Sequence, residues 1–249
     1  MESEFAVFIL IGFAAQLVDG ALGMAFGLIS TSALLTTGLS PAFASAVVHT
    51  AEVFTTAASA ASHAAQRNID RRLLLHLAIA GACGAAVGAY MLSNIDGRIL
   101  RPFIGIYLLV LGVLILRKVF RPPPATDASP RYAAPLGVAG GFLDAIGGGG
   151  WGPIVTSTLI GSGHAPHTII GSVNTAEFFV TTAAAATFFV ELGLAPLPAL
   201  GGLVIGGVIA APFGALLARR IPAPALMAAV GLLVCALAAW QIAKGFGWA

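Results

Sequence analysis

Of 249 residues, 58% are apolar and only 9% charged, and the mean hydropathy is +0.96, whereas a soluble globule carries about 25% charged residues. Too few polar side chains remain to coat a water-soluble surface, so the solvent is lipid. Twelve basic residues against ten acidic ones form no tract dense enough to follow nucleic-acid phosphates, which excludes nucleic acid as a partner.

The chain starts Met1-Glu2-Ser3-Glu4, acidic where a signal peptide is basic, so the first apolar stretch is expected to stay as a membrane segment. Helix-length apolar runs follow at 5–18, 22–38, 42–62, 73–94, 98–117, 133–146, 151–164, 167–190, 195–218 and 222–243. Four are short. They form two adjacent pairs, 5–18 with 22–38 and 133–146 with 151–164, interrupted at Asp19-Gly20-Ala21-Leu22-Gly23 and at Asp144-Ala145-Ile146-Gly147-Gly148-Gly149-Gly150. Interrupted apolar segments at matching places in two halves point to a transporter's binding site. Spacing alone leaves open whether each short pair is re-entrant or spanning. Cys83 and Cys235 lie inside apolar runs with no C-x-x-C spacing and no nearby histidine pair, so they are expected to be small buried apolar residues. Neither a metal nor a cofactor is expected.

A shift of 125 residues superposes the chain on itself without a gap. Asp19 meets Asp144, Gly23 meets Gly148, Thr31-Ser32 meets Thr156-Ser157, Pro41 meets Pro166, and Thr50-Ala51-Glu52 meets Thr175-Ala176-Glu177. Between 12–58 and 137–183, 18 of 47 positions are identical, among them both acids and the proline, which a bias toward Gly and Ala does not align. Beyond residue 60 the likeness fades, with Gly81 and Gly206 still in register. The expected organisation is a first transmembrane repeat at 1–118, a cytoplasmic linker at 119–131 rich in proline, and a second transmembrane repeat at 132–249.

Nine of the twelve basic residues fall in three loops: Arg67, Arg71 and Arg72; Arg117, Lys118, Arg121 and Arg131; Arg219 and Arg220. The positive-inside rule places these loops in the cytoplasm, which leaves Arg98, Arg101 and Lys244 outside together with both termini. With five segments per half, the second half enters the bilayer from the opposite side. The expected fold is an all-α membrane protein of two inverted-topology repeats, each of about five helical segments and each starting with broken or re-entrant short helices.

Four acids, Asp19, Glu52, Asp144 and Glu177, fall within the hydrocarbon zone, where each ionised group costs roughly 2.5–3.5 kcal/mol on insertion scales. The glutamates read equally as proton-coupling groups or as acceptors for exposed backbone N–H groups. The aspartates, beside helix breaks, read rather as caps. Ser45, His49, Glu52, Thr56 and Ser59 recur at 4-3-4-3 spacing on one helix face, and Asn174, Glu177 and Thr181 repeat the pattern in the second half. In lipid such a stripe faces other helices or a water-filled cavity. With no Lys or Arg deep in a span, an anion would be held by the helix ends near Gly23, Gly148 and Gly149 and by neutral donors: His49, Thr50, Asn174, Thr175 and Trp151. His63, His76, His164 and His167 are expected at surfaces or interfaces.

At Gly12, Phe13 and Asp19, at Gly140, Gly141, Phe142 and Asp144, and at the turns with Gly38 and Pro41 or Gly163 and Pro166, each followed by a polar helix, the chain resembles the TauE/SafE family of sulfite exporters. The resemblance covers essentially the whole chain. It implies a multi-pass protein of the bacterial inner membrane that exports sulfite or a related organosulfur anion with proton-driven movement, and the residues themselves add alternating access of the two inverted halves with Glu52 or Glu177 carrying the proton. An intramembrane aspartyl protease is the rival reading, but Asp144 follows Gly-Gly-Phe-Leu and Asp19 follows Gln-Leu-Val, unlike the Gly-x-Gly-Asp run of such enzymes. A passive anion channel is the third.

Overall fold

In the computed structural model, described over residues 2–22, 24–120, 132–160, 166–220 and 222–245, the chain is helical, with no strand among those residues. The first half contributes α1 (Glu2–Leu22), α2 (Phe26–Thr36), α3 (Pro41–Ala65), α4 (Arg71–Asn94) and α5 (Gly97–Phe120). The second contributes α6 (Ala133–Gly147), α7, α8 (Pro166–Leu192), α9 (Leu197–Arg220) and α10 (Ala223–Gly245). Here α7 denotes a π-helical turn at Gly152–Thr156 that continues as an α-helical turn at Ser157–Ile160. Among the described residues, five helices are long and apolar enough to cross a bilayer: α1 over Glu4–Leu22, α4, α5, α8 over Thr168–Leu192, and α10 over Pro224–Lys244. The 25-residue α3 is long enough as well, but its polar stripe lowers its hydropathy.

Local chemistry sets the boundaries. Asp70 caps α4, its carboxylate accepting from the N–H groups of Arg72 (2.8 Å) and Leu73 (3.2 Å). Gly38 (φ 96°) and Gly193 (φ 78°) end α2 and α8 in the left-handed region. The expected segments match these helices closely except at the first break: α1 does not stop at residue 18 but continues to Leu22, so Asp19 and Gly20 belong to its last turn, and α2 begins at Phe26 and not at residue 22. The helix can run past Asp19 because the acid turns its side chain onto the next helix instead of its own backbone.

The ends of the elements meet in two layers. The start of α1, the turn after α2 and the start of α9 share one cavity. The turns before α3 and α5 share another with the end of α10, and Asn94 at the end of α4 bonds Glu191 at the end of α8. This is the terminal end of the bundle. At the opposite, linker end, the Asp70 N–H donates to Ser172 Oγ (2.8 Å), and Lys118 bonds Pro153 O and Ser157 Oγ. Thus α1 leaves the terminal end and α2 returns to it, whereas α6 leaves the linker end and α7 returns there.

Each half's first helix lies along the fourth helix of the other half, α1 on α9 and α6 on α4, while α3 faces α8 and α5 faces α10. The matched crossings use matched glycines: a Cβ on Gly12 would strike the backbone of Leu203, and one on Gly137 would meet Leu77 O, Ala80 and the Gly81 N–H. The bundle is inside-out relative to a soluble protein. Leu10, Ile79, Phe103, Val190 and Leu232 are more than 60% exposed, while Ser45, His49, Glu52 and Asp144 are at most 5% exposed. Cys83 also lies on the outer face and Cys235 is half-buried, so the expectation that both are buried fails: in lipid a small apolar side chain need not face inward.

Candidate functional site

Each broken helix is capped across its break by the aspartate seven residues upstream. Asp19 Oδ1 accepts from the N–H groups of Ala25 (2.7 Å) and Phe26 (3.1 Å). Asp144 Oδ1 accepts from the N–H of Trp151 (3.0 Å), the repeat mate of Phe26. These carboxylates satisfy donors that hydrocarbon would leave bare, each reaching from the preceding helix across the break. The second break is tighter. Gly148 sits at φ 65° and ψ 28° and donates to Asp144 O, its carbonyl accepts from Thr31 Oγ1, and Tyr107 Oη donates to Gly149 O (3.1 Å).

The two breaks meet backbone to backbone. A Cβ on Gly149 would lie 2.5 Å from Leu28 N and 2.6 Å from Gly27 C, and one on Gly27 would crowd Gly149 Cα and Glu52 Oε1. Only glycine permits this approach. Beside the contact lies a chamber of about 30 Å³, lined by Asp19, Glu52, Asp144 and Glu177 together with Gly27, Leu28, Gly149, Gly150, Trp151 and Gly152. All four intramembrane acids therefore converge, two from each half. Past the capped positions, the first-turn N–H groups of Gly27, Leu28 and Gly152 belong to residues that line the same chamber and have no acceptor within their own helices.

The chamber continues into a cavity of about 320 Å³ that shares Asp19, Thr55, Thr56 and Glu177 with it and adds Gln16, Ser59, His63, Ile170 and Asn174. His63 in the last turn of α3 and Ile170 near the start of α8 place its mouth toward the linker end. In the opposite direction the site is shut. His49 is fully buried, with Nδ1 2.9 Å from Ser45 O and Nε2 3.3 Å from Asp144 Oδ2. Ser45 Oγ donates to Ala145 O (2.6 Å), and Phe188 stacks obliquely 6.1 Å from the imidazole. A carbonyl only accepts, so Nδ1 carries hydrogen. The Nε2–Asp144 contact then needs one further proton, on the imidazole or on the carboxylate. His49, Glu52 and Asp144 each bring a ligand atom within 4.8 Å of the others, close enough for the three side chains to share a proton.

The sequence-derived candidates divide. Glu52, Glu177, Asp19, Asp144, Gly149 and Trp151 line the chamber, and Asn174 lines the larger cavity, its amide donating to Ser59 Oγ (3.4 Å). His49 and Gly148 belong to the seal. The hydroxyls of Thr50 and Thr175 donate to Ala46 O and Gly171 O, each one turn back on its own helix. The Trp151 indole N–H donates to Val173 O (3.2 Å), so the chamber sees this residue's backbone and ring. Gly23, His164 and the side chain of His167 lie outside the described residues. His63, expected at a surface or interface, is half-buried and lines the larger cavity, where the polar stripe of α3 continues through it; His76 is exposed. Gln16, Thr55 and Tyr107 were not singled out by the sequence, and Lys118 was expected only as a basic loop residue: Tyr107 is the polar side chain in the apolar middle of α5 and Lys118 lies in its basic last turn, and only the fold brings them to the second break.

The model of the sulfite exporter TauE/SafE family matches residues 8–240. The chain is 43% identical over 240 residues to the probable membrane transporter protein YtnM of Bacillus subtilis (strain 168), an alignment covering 93% of this chain and 79% of that protein. No solved structure matches.

Proposed function

Since this chain belongs to the sulfite exporter TauE/SafE family and is a membrane transporter of that type, we propose that it is a secondary carrier exporting sulfite or a related sulfonate, by alternating access of two inverted halves. The observation that carries this reading is the convergence of two capped helix breaks and four acids on one chamber. Helix N-termini supply partial positive charge and N–H donors for an oxyanion. Four ionised carboxylates around the same space would repel it, so the anion enters once protons neutralise part of that charge. Glu52 and Glu177 are the carriers of choice, because Asp19 and Asp144 are engaged as caps.

The cavity open toward the linker end and the seal toward the terminal end describe one side of an alternating cycle. With the linker, 119–131, in the cytoplasm and both termini in the periplasm, this conformation faces inward and admits cytoplasmic anion to the chamber. A wall at one end of the site favours a carrier over a pore.

Flux into proteoliposomes under an imposed pH gradient tests the proposal. Wild-type protein is expected to accumulate sulfite or a small sulfonate against its gradient, and Glu52→Gln and Glu177→Gln are expected to lose or uncouple that accumulation while eluting as folded protein. Wild-type rates from both variants would remove the proton role. A wild-type protein that moves none of sulfite, sulfate, thiosulfate or small sulfonates would remove the substrate reading.

A further inference from the structure

Nine of the twelve basic residues fall in the three loops that the sequence puts on one side, and the remaining three, Arg98, Arg101 and Lys244, do not scatter. All three line one cleft of about 460 Å³ at the terminal end, between the turn before α3, the start of α5 and the end of α10. Asp96 is the acid among the lining residues, and one of its oxygens accepts from the Arg98 N–H (2.8 Å), capping α5. Arg101 Nη2 donates to Leu39 O (2.9 Å), which fixes the guanidinium at the cleft wall with other donors to spare. The Lys244 ammonium lies 5.5 Å over the Trp240 ring. The 125-residue register pairs Arg98 with Ala223, Arg101 with Leu226 and Lys244 with Val119. None of the three has a basic mate, so the cationic cluster, built from both halves, is no part of the shared scaffold.

Below this cluster the surface is apolar. Ile99 and Phe103 on α5 are 60% and 62% exposed, and Trp240 on α10 is 48% exposed. Charge at the rim of the bundle above apolar helix faces is the chemistry of a phospholipid: phosphate above, acyl chains below. We propose that Arg98, Arg101 and Lys244 bind the phosphodiester headgroup of an anionic phospholipid in the terminal-end leaflet, with its chains along the exposed faces of α5 and α10. The site clamps α5 and α10 to the turn before α3 and is separate from the transport chamber.

Thermal unfolding of the detergent-purified full chain tests this, with phosphatidylglycerol, phosphatidylcholine or inorganic phosphate added. Phosphatidylglycerol is expected to raise the melting temperature by several degrees, and the other two are expected to leave it unchanged. Arg98→Gln combined with Lys244→Gln, two exposed side chains, is expected to keep the lipid-free melting temperature and to need about 30-fold more phosphatidylglycerol for the same shift. Equal stabilisation by phosphatidylcholine would overturn the proposal, as would an undiminished phosphatidylglycerol response in the double variant. A full effect from inorganic phosphate would assign the cleft to a free anion and overturn the lipid. Should the double variant not fold, native mass spectrometry of the wild type decides between retained phosphatidylglycerol, as expected, and none.

Discussion

Ser45 engages His49 on one side of the ring and Asp144 meets it on the other, so the same aspartate that caps α7 through Oδ1 also latches α3 through Oδ2. The proton that this latch requires is the one whose loss would set two buried groups apart, which links closure of the terminal end to protonation. His49→Asn places in the first half the residue that the second half already has at Asn174. The amide keeps a donor but is shorter than the imidazole. The variant is expected to lose about 1.5–3 kcal/mol of stability, the value of a hydrogen bond to a charged group, and to lower anion flux by loosening the terminal end. Unfolding in detergent and flux into proteoliposomes check the two parts, and wild-type values of both would show that this latch does not hold the end shut.

On the scale of elements, the two ends of the chamber are built from repeat mates in different arrangements. His49 and Asp144 touch, whereas their counterparts Asn174 and Asp19 stand apart as walls of the open cavity. In the same sense, α4 packs along much of α8 but its counterpart α9 meets α3 over a shorter stretch. Exchange of these arrangements between halves would close the linker end with Asn174 and Asp19 while releasing His49 from Asp144. A disulfide between cysteines at Ser45 and Ala145, whose side chain and carbonyl are bonded here at 2.6 Å, is expected to hold the terminal end shut. Anion flux should then fall at least tenfold under oxidising conditions and return with dithiothreitol. Full flux from the oxidised pair would show that this contact does not open during transport.

The whole molecule has two ends that solvent should reach from opposite sides of the membrane. A cysteine at Gln66, exposed in the turn between α3 and α4, is expected to react with an impermeant maleimide only in inverted vesicles. One at Leu194, 72% exposed between α8 and α9, is expected to react only in intact spheroplasts. Labelling of both from one side would undo the two-layer assignment, and reversal of both would turn the cavity outward. The apolar outer face, including the paired Phe54 and Phe179 at 57% and 47% exposure, also predicts aggregation once detergent is withdrawn.

Much of this arrangement was legible before any coordinates. Helix positions follow from apolar length and from punctuation by Gly, Pro and Asp. The four acids and the stripe from Ser45 to Ser59 were visible because a charge in hydrocarbon is costly enough that its position carries information. Other features depend on contacts between residues far apart in the chain, which periodicity does not encode. Asp19 reaches seven residues ahead to cap α2. Gly27 and Gly149 touch across 122 positions. Tyr107 and Lys118 reach from α5 to support a break in another helix, and His49 joins the seal while Asn174 faces the cavity. By itself the sequence determined that the chain lives in lipid as two related halves and which side chains must avoid that lipid, since those are properties of composition and spacing. Tertiary structure alone decided which of the avoiding groups meet, on which side of the chamber, and which end is open, because that depends on how ten helical segments pack in three dimensions.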